Sequence, residues 1–179
     1  MSIASALLNQ CGKPSGWLGR LNLWGMNRRH SALTDWGLTH VATQSHDTIL
    51  DIGCGGGRTV HKLAALVPAG MVYGVDYADA SVAASRKTNR QWIAMGRVEI
   101  RHAAVSQLPF ADRMFDLVAA VETHYYWPDL PGDMRQVFRV LKPSGTLIII
   151  AESYKGSEAG NSTGRSNDST KSRGSSMRS

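Results

Sequence analysis

Cysteine is nearly missing from this chain: Cys11 and Cys54 are its only two in 179 residues. Two thiols cannot frame a disulfide scaffold and have no zinc spacing, so a reducing cytoplasm is the expected setting. His30, His40, His46, His61 and His102 show no ligand-like grouping with acids or cysteines, and no metal is expected. No apolar run approaches the roughly 20 residues that cross a bilayer, which excludes a membrane-spanning role. The short apolar start, Ile3-Ala4-Ser5-Ala6-Leu7-Leu8, has no basic stretch before it, so no signal peptide is expected.

Charge is also sparse, at 19% of residues, against 42% hydrophobic ones. That balance fits a globular protein with one α/β domain and some disordered sequence. The net charge of +6 invites a nucleic-acid partner. Part of the excess is local, however: from Gly156 onward Arg165, Lys171, Arg173 and Arg178 face only Glu158 and Asp168. The remaining excess is modest, and a bland basic surface is favoured over a nucleic-acid groove. The segment 156–179 has no aromatic residue and only Ala159 and Met177 as apolar ones, so it is read as a disordered polar tail.

Residues 11–44 read as helical and irregular, with Trp17, Trp24 and Trp36 among their apolar side chains. They predict either a helical cap near a ligand or ordinary core packing, within an N-terminal segment 1–46. From residue 47 the pattern alternates between strand and helix. Strands are expected at 48–52, 71–76, 97–102, 116–122 and 146–151, and helices at 58–67, 79–95 and 130–141. The last helix is expected to stop at Lys142-Pro143-Ser144-Gly145. This order predicts an α/β, Rossmann-like three-layer sandwich with a mostly parallel sheet, spanning 47–155.

The richest stretch is Ile49-Leu50-Asp51-Ile52-Gly53-Cys54-Gly55-Gly56-Gly57-Arg58. A buried strand that ends in a glycine turn and opens a helix can carry a nucleotide-like ligand at the carboxyl edge of a sheet. Asp76 ends the second strand about 20 residues later, at the spacing of a ribose-binding carboxylate, and Tyr77 follows it, able to lie against adenine. A dinucleotide fingerprint would close on a further glycine where Arg58 stands. Asp51 would repel a diphosphate and suits either loop organisation or a cationic amino group. An amino acid in place of phosphates points to S-adenosylmethionine.

Four segments in order carry a family resemblance: Leu50 to Gly57; Gly74-Val75-Asp76; Leu108-Pro109-Phe110 with Phe115-Asp116-Leu117-Val118; and Arg139-Val140-Leu141-Lys142-Pro143-Ser144-Gly145-Thr146. Together they resemble a class I S-adenosylmethionine-dependent methyltransferase, most similar to the small-molecule group that includes the ubiquinone/menaquinone-biosynthesis enzymes (methyltransferase type 11). The resemblance covers roughly 47–152. It implies that Gly53, Gly55 and Gly57 carry the methionine part of the cofactor and that Asp76 binds the ribose; Asp51, Cys54 and Tyr77, read from their places beside these residues, are expected to join the cofactor contacts. It further implies that the segment after strand three flanks adenine. There the family often has Gly-Asp, and this chain has Ala103-Ala104, so Ala104, Val105 and Ser106 are the substitutes. Val121 and Glu122, at the end of strand four, complete the expected cofactor contacts.

After Glu122 come Thr123-His124-Tyr125-Tyr126-Trp127-Pro128-Asp129, at the edge where the reactive methyl is expected. Methyl transfer is an in-line displacement that alignment alone can largely catalyse. His124 is the candidate base where an acceptor must lose a proton, with helix capping as its plain alternative. Tyr125, Tyr126 and Trp127 would line an apolar pocket, face the sulfonium, or sit in the core. Neither an Asn/Asp-Pro-Pro-Tyr segment nor a Pro-Cys nucleophile appears, which argues against DNA-base methylation. Arg28-Arg29-His30 suits either contact with an anionic substrate or a solvated helix face, and the second is favoured.

Class I enzymes generally carry two more strands after the fifth, and nothing after Tyr154 reads as a strand. The carboxyl-terminal part therefore reads as missing or replaced, which would expose a sheet edge to a second copy in a homodimer. The sequence thus predicts a small-molecule methyltransferase. A cofactor-binding module with little turnover and an RNA methyltransferase are its rivals.

Overall fold

The computed structural model describes residues 31–152. The expectations for the segment before residue 31, for the polar tail and for the missing terminal strands lie outside the described residues. Within them, helix α1 (Ser31–Leu38) precedes strand β1 (Thr48–Ile52), helix α2 (Arg58–Leu66) and strand β2 (Met71–Asp76). Helices α3 (Asp79–Thr88) and α4 (Arg90–Ala94) follow, then strand β3 (Val98–His102). A short 3₁₀ turn, Val105–Gln107, leads to strand β4 (Phe115–Val121). A second one, His124–Tyr126, leads to helix α5 (Leu130–Val140) and strand β5 (Leu141–Ile150).

The strands form one sheet in the order β3-β2-β1-β4-β5, and every neighbouring pair is parallel. Parallel pairing needs crossover helices, which cover both faces and explain the apolar runs of β1 and β4. Alternate side chains enter two cores. Ile49, Val72, Ile100 and Leu117 pack with Val60, Leu63 and Val82 of α2 and α3. Leu50, Val75 and Val118 pack on the other side with Phe110, Val137 and Val140, under α5. The expected three-layer α/β sandwich is therefore present. The strand order reverses between β1 and β4, and the crevice this leaves at the carboxyl edge is where ligands of such sheets sit.

Several boundaries differ from the sequence expectation. The helix expected over 79–95 is interrupted at Asn89, because its buried side chain donates to the carbonyls of Gly57 at 2.9 Å and Ser85 at 3.0 Å. Such local competition for backbone acceptors breaks helices. Strand β5 begins at Leu141, before the expected stop. Leu141 pairs with Phe115, and regular pairing resumes only at Thr146 with Leu117. Lys142 to Gly145 form the bulge between them, where Pro143 has no N–H for a ladder. Strand β4 ends at Val121, which leaves Glu122 outside it. Trp36 is 62% exposed and so is not a core residue. α1 instead packs through Gly37, whose Cβ, if present, would meet Ile150 Cδ1 at 2.3 Å. Among the described residues no helix is long and apolar enough to cross a membrane.

Candidate functional site

The glycine turn after β1 is built by hydrogen bonds to the next strand. Gly53 and Cys54 both donate to the Val75 carbonyl, at 2.8 and 2.9 Å. That geometry holds Gly53 at φ 71°, a left-handed conformation in which a side chain is strained. A Cβ there would also lie 2.1 Å from Thr123 Oγ1, so the loop after β4 rests on this glycine. Gly57, at φ 80°, is excluded from carrying a side chain by a different neighbour: its Cβ would meet Ser85 Oγ at 2.4 Å and Asn89 Nδ2 at 2.5 Å. Gly57 therefore lets the loop press on α3, while Gly53 lets it press on the β4 loop.

The support from α3 is a part of the site that sequence reasoning missed. Thr88 Oγ1 donates to the Gly56 carbonyl at 2.8 Å, Asn89 holds Gly57, and Cys54 Sγ is 3.7 Å from Ser85 Oγ. Ser81, Ser85 and Asn89 are all buried. Their spacing of four residues puts them on one helix face, and that small polar stripe was the available signal.

Two carboxyls sit beneath the loop. Asp76 accepts from Gly55 N–H through Oδ2 and from Ala78 N–H through Oδ1, both at 2.9 Å. Burial pushes its pKa up, and the bonds from Ala78, Gly55 and Ser81, with nearby His102, pull it partly back. Each carboxylate oxygen keeps a further lone pair, so ribose hydroxyls remain compatible with these contacts. Asp51 is 1% exposed, and its Oδ2 has no hydrogen-bond partner. Burial, and then the charge of Asp76, raise its pKa well above the ordinary value. A buried, unpartnered acceptor is costly and calls for a donor from a ligand. An ammonium suits it and a diphosphate does not. Burial followed by the two carboxylates pushes the Cys54 thiol up as well, so it is not a nucleophile in this state.

The segment expected to flank adenine lies beside Asp76, since Ala103 N–H donates to the Asp76 carbonyl at 3.0 Å. Ala104 and Ser106 are exposed, and Val105 is buried in the α5-side core. Tyr77 is exposed, and its carbonyl lies 2.7 Å from His102 Nε2. Arg139, named in the sequence only as the start of the fourth segment and given no role there, anchors the Leu108-Pro109-Phe110 turn. Its guanidinium donates to the carbonyls of Leu108 at 2.8 Å and Phe110 at 2.7 Å.

Across the crevice, Val121 is half-buried and Glu122 is buried. His124 Nδ1 is buried without a hydrogen-bond partner. The rings of His124 and Tyr125 stand 5.1 Å apart and those of Tyr125 and Tyr126 4.7 Å apart, both edge-on. Trp127 packs into the α5-side core. The fold thus gathers Asp51, the glycine loop, Asp76 and the aromatic turn at one edge. It can hold a cationic, ribose-bearing ligand under an apolar wall.

Residues 50–149 match the family model described as a methyltransferase domain. The chain is similar to 27-O-demethylrifamycin SV methyltransferase of Amycolatopsis mediterranei, with 32% identity over 143 residues, 71% of this chain and 52% of that one. It is also similar to 2-phytyl-1,4-naphtoquinone methyltransferase of Nostoc punctiforme, with 29% identity over 132 residues, 73% of this chain and 57% of that one. The chain spans about half the length of these curated relatives. Its fold is shared with a SAM dependent methyltransferase from Aquifex aeolicus, at a TM-score of 0.65 and 20% identity, over 72% of this chain and 70% of that one.

Proposed function

The chain belongs to the methyltransferase-domain family, and on that premise we propose that it transfers a methyl group from S-adenosylmethionine to a small-molecule acceptor. The observation that carries this reading is Asp51 Oδ2, a buried acceptor without a partner beneath a glycine loop. The cofactor's α-amino group is a donor of the right charge for it. In this reading the backbone of Gly53, Cys54 and Gly55 cradles the methionine part, and Gly57 closes the loop onto α3. Asp76 takes the ribose, while Tyr77, Ala104, Val105 and Ser106 flank adenine. Val121 and Glu122 close the crevice from the β4 side. When bound, the cofactor supplies an electrophilic methyl on a sulfonium.

The chain's own contribution is alignment and exclusion of water by Tyr125, Tyr126 and the loop that carries them. His124 takes the acceptor's proton where there is one to lose; its unpartnered buried Nδ1 supports that role. A cytoplasmic setting fits the free thiol of Cys54. The same reading keeps the cap at 1–46, the cofactor domain at 47–155 and the polar tail at 156–179. It also includes a homodimer through β5, one of the two outer strands of the described sheet, which sedimentation equilibrium checks.

Calorimetry tests the cofactor. S-adenosylmethionine and its demethylated product should bind, NAD should not, and Asp76→Ala should weaken the first two on the order of 100-fold through lost charge-assisted hydrogen bonds. Transfer of a labelled methyl to quinones, polyketides or RNA then tests the acceptor class. Binding of NAD alone sinks the proposal, and labelling of RNA alone replaces its small-molecule part.

A further inference from the structure

Glu122 and Arg113 are the non-glycine residues with left-handed backbone among those described, at φ 54° and 53°. Arg113 sits in an exposed turn, whereas Glu122 is 5% exposed. A buried, strained residue persists only where its surroundings hold it. Three hydrogen bonds do so here. Its N–H donates to the Ile150 carbonyl at 2.8 Å. Its Oε1 accepts the N–H of Glu152, and its Oε2 accepts the hydroxyl of Tyr125. One side chain therefore ties the end of β4 to the end of β5 and to the aromatic turn.

The turn itself is short and closed by Tyr126 N–H on the Thr123 carbonyl at 3.0 Å. Thr123 in turn rests on Gly53. The position of Tyr125 is thereby fixed against the glycine loop at one end and against β5 at the other. Tyr125 is 48% exposed, and its hydroxyl is engaged inward, so ring carbon is what it offers to a molecule entering the crevice.

We infer that Glu122 is a positioning residue: it latches Tyr125 by the hydroxyl so that the aromatic turn presents a ring, not a phenol oxygen, to the methyl acceptor. The site thereby selects acceptors with a flat apolar flank. Glu122 thus contributes to the acceptor wall through Tyr125, and its carboxyl is not free for the cofactor. The meaning for the acceptor rests on the methyl-transfer reading; the latch does not.

Two variants with opposite side effects test it in the full chain. Glu122→Gly relieves the left-handed backbone and removes both acceptors, so it should fold, while Tyr125→Phe removes only the donor. Hydrogen exchange in the 121–127 segment should speed by about tenfold in each. The double variant should exchange no faster than Glu122→Gly alone, because the bond to the Tyr125 hydroxyl cannot be lost twice. In the presence of the demethylated cofactor, 1-naphthol should bind each variant about fivefold more weakly than the parent, as ordering the wall now costs free energy. Unchanged exchange in either single variant, additive effects in the double one, or unchanged 1-naphthol affinity overturns the inference. Failure of the demethylated cofactor to bind the parent defeats the methyl-transfer reading instead, and leaves the exchange result to judge the latch.

Discussion

The two edges of the sheet differ in how completely they match their polar groups. At the amino edge, charge is matched. Asp116 accepts from Lys142 at 2.7 Å and from Thr48 N–H at 2.9 Å. Arg97 donates to the carbonyls of Ala64, Val67 and Gly70, closing the carboxyl end of α2, where helix carbonyls lack partners. At the carboxyl edge, Asp51 Oδ2 and His124 Nδ1 are buried without partners, and Glu122 is held in a strained conformation. Matched groups serve the apo fold. Unmatched ones destabilise it and become useful only when something binds.

Neutralising the unmatched carboxyl breaks this contrast most directly. Asp51→Asn should weaken the demethylated cofactor on the order of 10–100-fold, the size of a hydrogen bond to a charged group. Without ligand the same variant should melt higher than the parent at pH 8. The pKa of Asp51 is raised in the fold, so the native state holds its proton more tightly than the unfolded chain. Parent stability therefore falls as pH rises from the ordinary aspartate range through the raised value. The variant's advantage is fullest above that value and absent below the ordinary range. Calorimetry and melting at pH 4 and pH 8 read both effects, and a variant that binds as well as the parent removes Asp51 from the site.

At the opposite edge the signs reverse. Arg97→Met should cost about 2 kcal/mol, lowering the melting midpoint by roughly 4–8 °C, because carbonyls at the α2 end lose their cationic donor. Its cofactor affinity should match the parent's, since none of its partners belongs to the crevice. Thermal melts paired with calorimetry check this. A large loss of affinity would mean that the two edges are coupled.

How much of this was legible in the sequence depended on the range of the interaction. β1 and β2 fall at 48–52 and 71–76 as expected, because an apolar run ending in an acid and a glycine is a local signal. The α3 break was not read, since Asn89 interrupts the helix by bonding Gly57, 32 residues away. The β5 bulge depends on how its register meets β4, which one strand alone does not encode. At the site, the glycine loop and Asp76 stand together as the spacing implied. The latch of Glu122 to Tyr125 spans three residues, but it requires the left-handed backbone at Glu122, which no propensity favours. The roles of Arg97 and Arg139 rest on carbonyls, which leave no mark in side-chain patterns.

The smallest effect sharpens the comparison most, because it isolates the sign of the pH dependence. Burial pushes the Asp116 pKa up, but the hydrogen bonds from Lys142 and Thr48 and the Lys142 charge outweigh it and hold the carboxyl below its ordinary value. A carboxyl depressed in the fold stabilises the protein above the ordinary aspartate range, and that stability is lost as pH falls through the depressed value. Lys142 and Asp116 side chains are 39% and 30% exposed, so solvent screens the pair. Lys142→Met should then cost only about 0.5 kcal/mol at pH 7, less in high salt, and nothing in strong acid. Urea titrations at the two pH values measure it. Asp51→Asn gains on the parent as pH rises, whereas Lys142→Met loses to it over the same span, so two aspartates on neighbouring strands should tilt stability in opposite directions. If both variants moved the same way, burial alone would govern these carboxyls, and the division of the sheet into a matched edge and an unmatched one would fail.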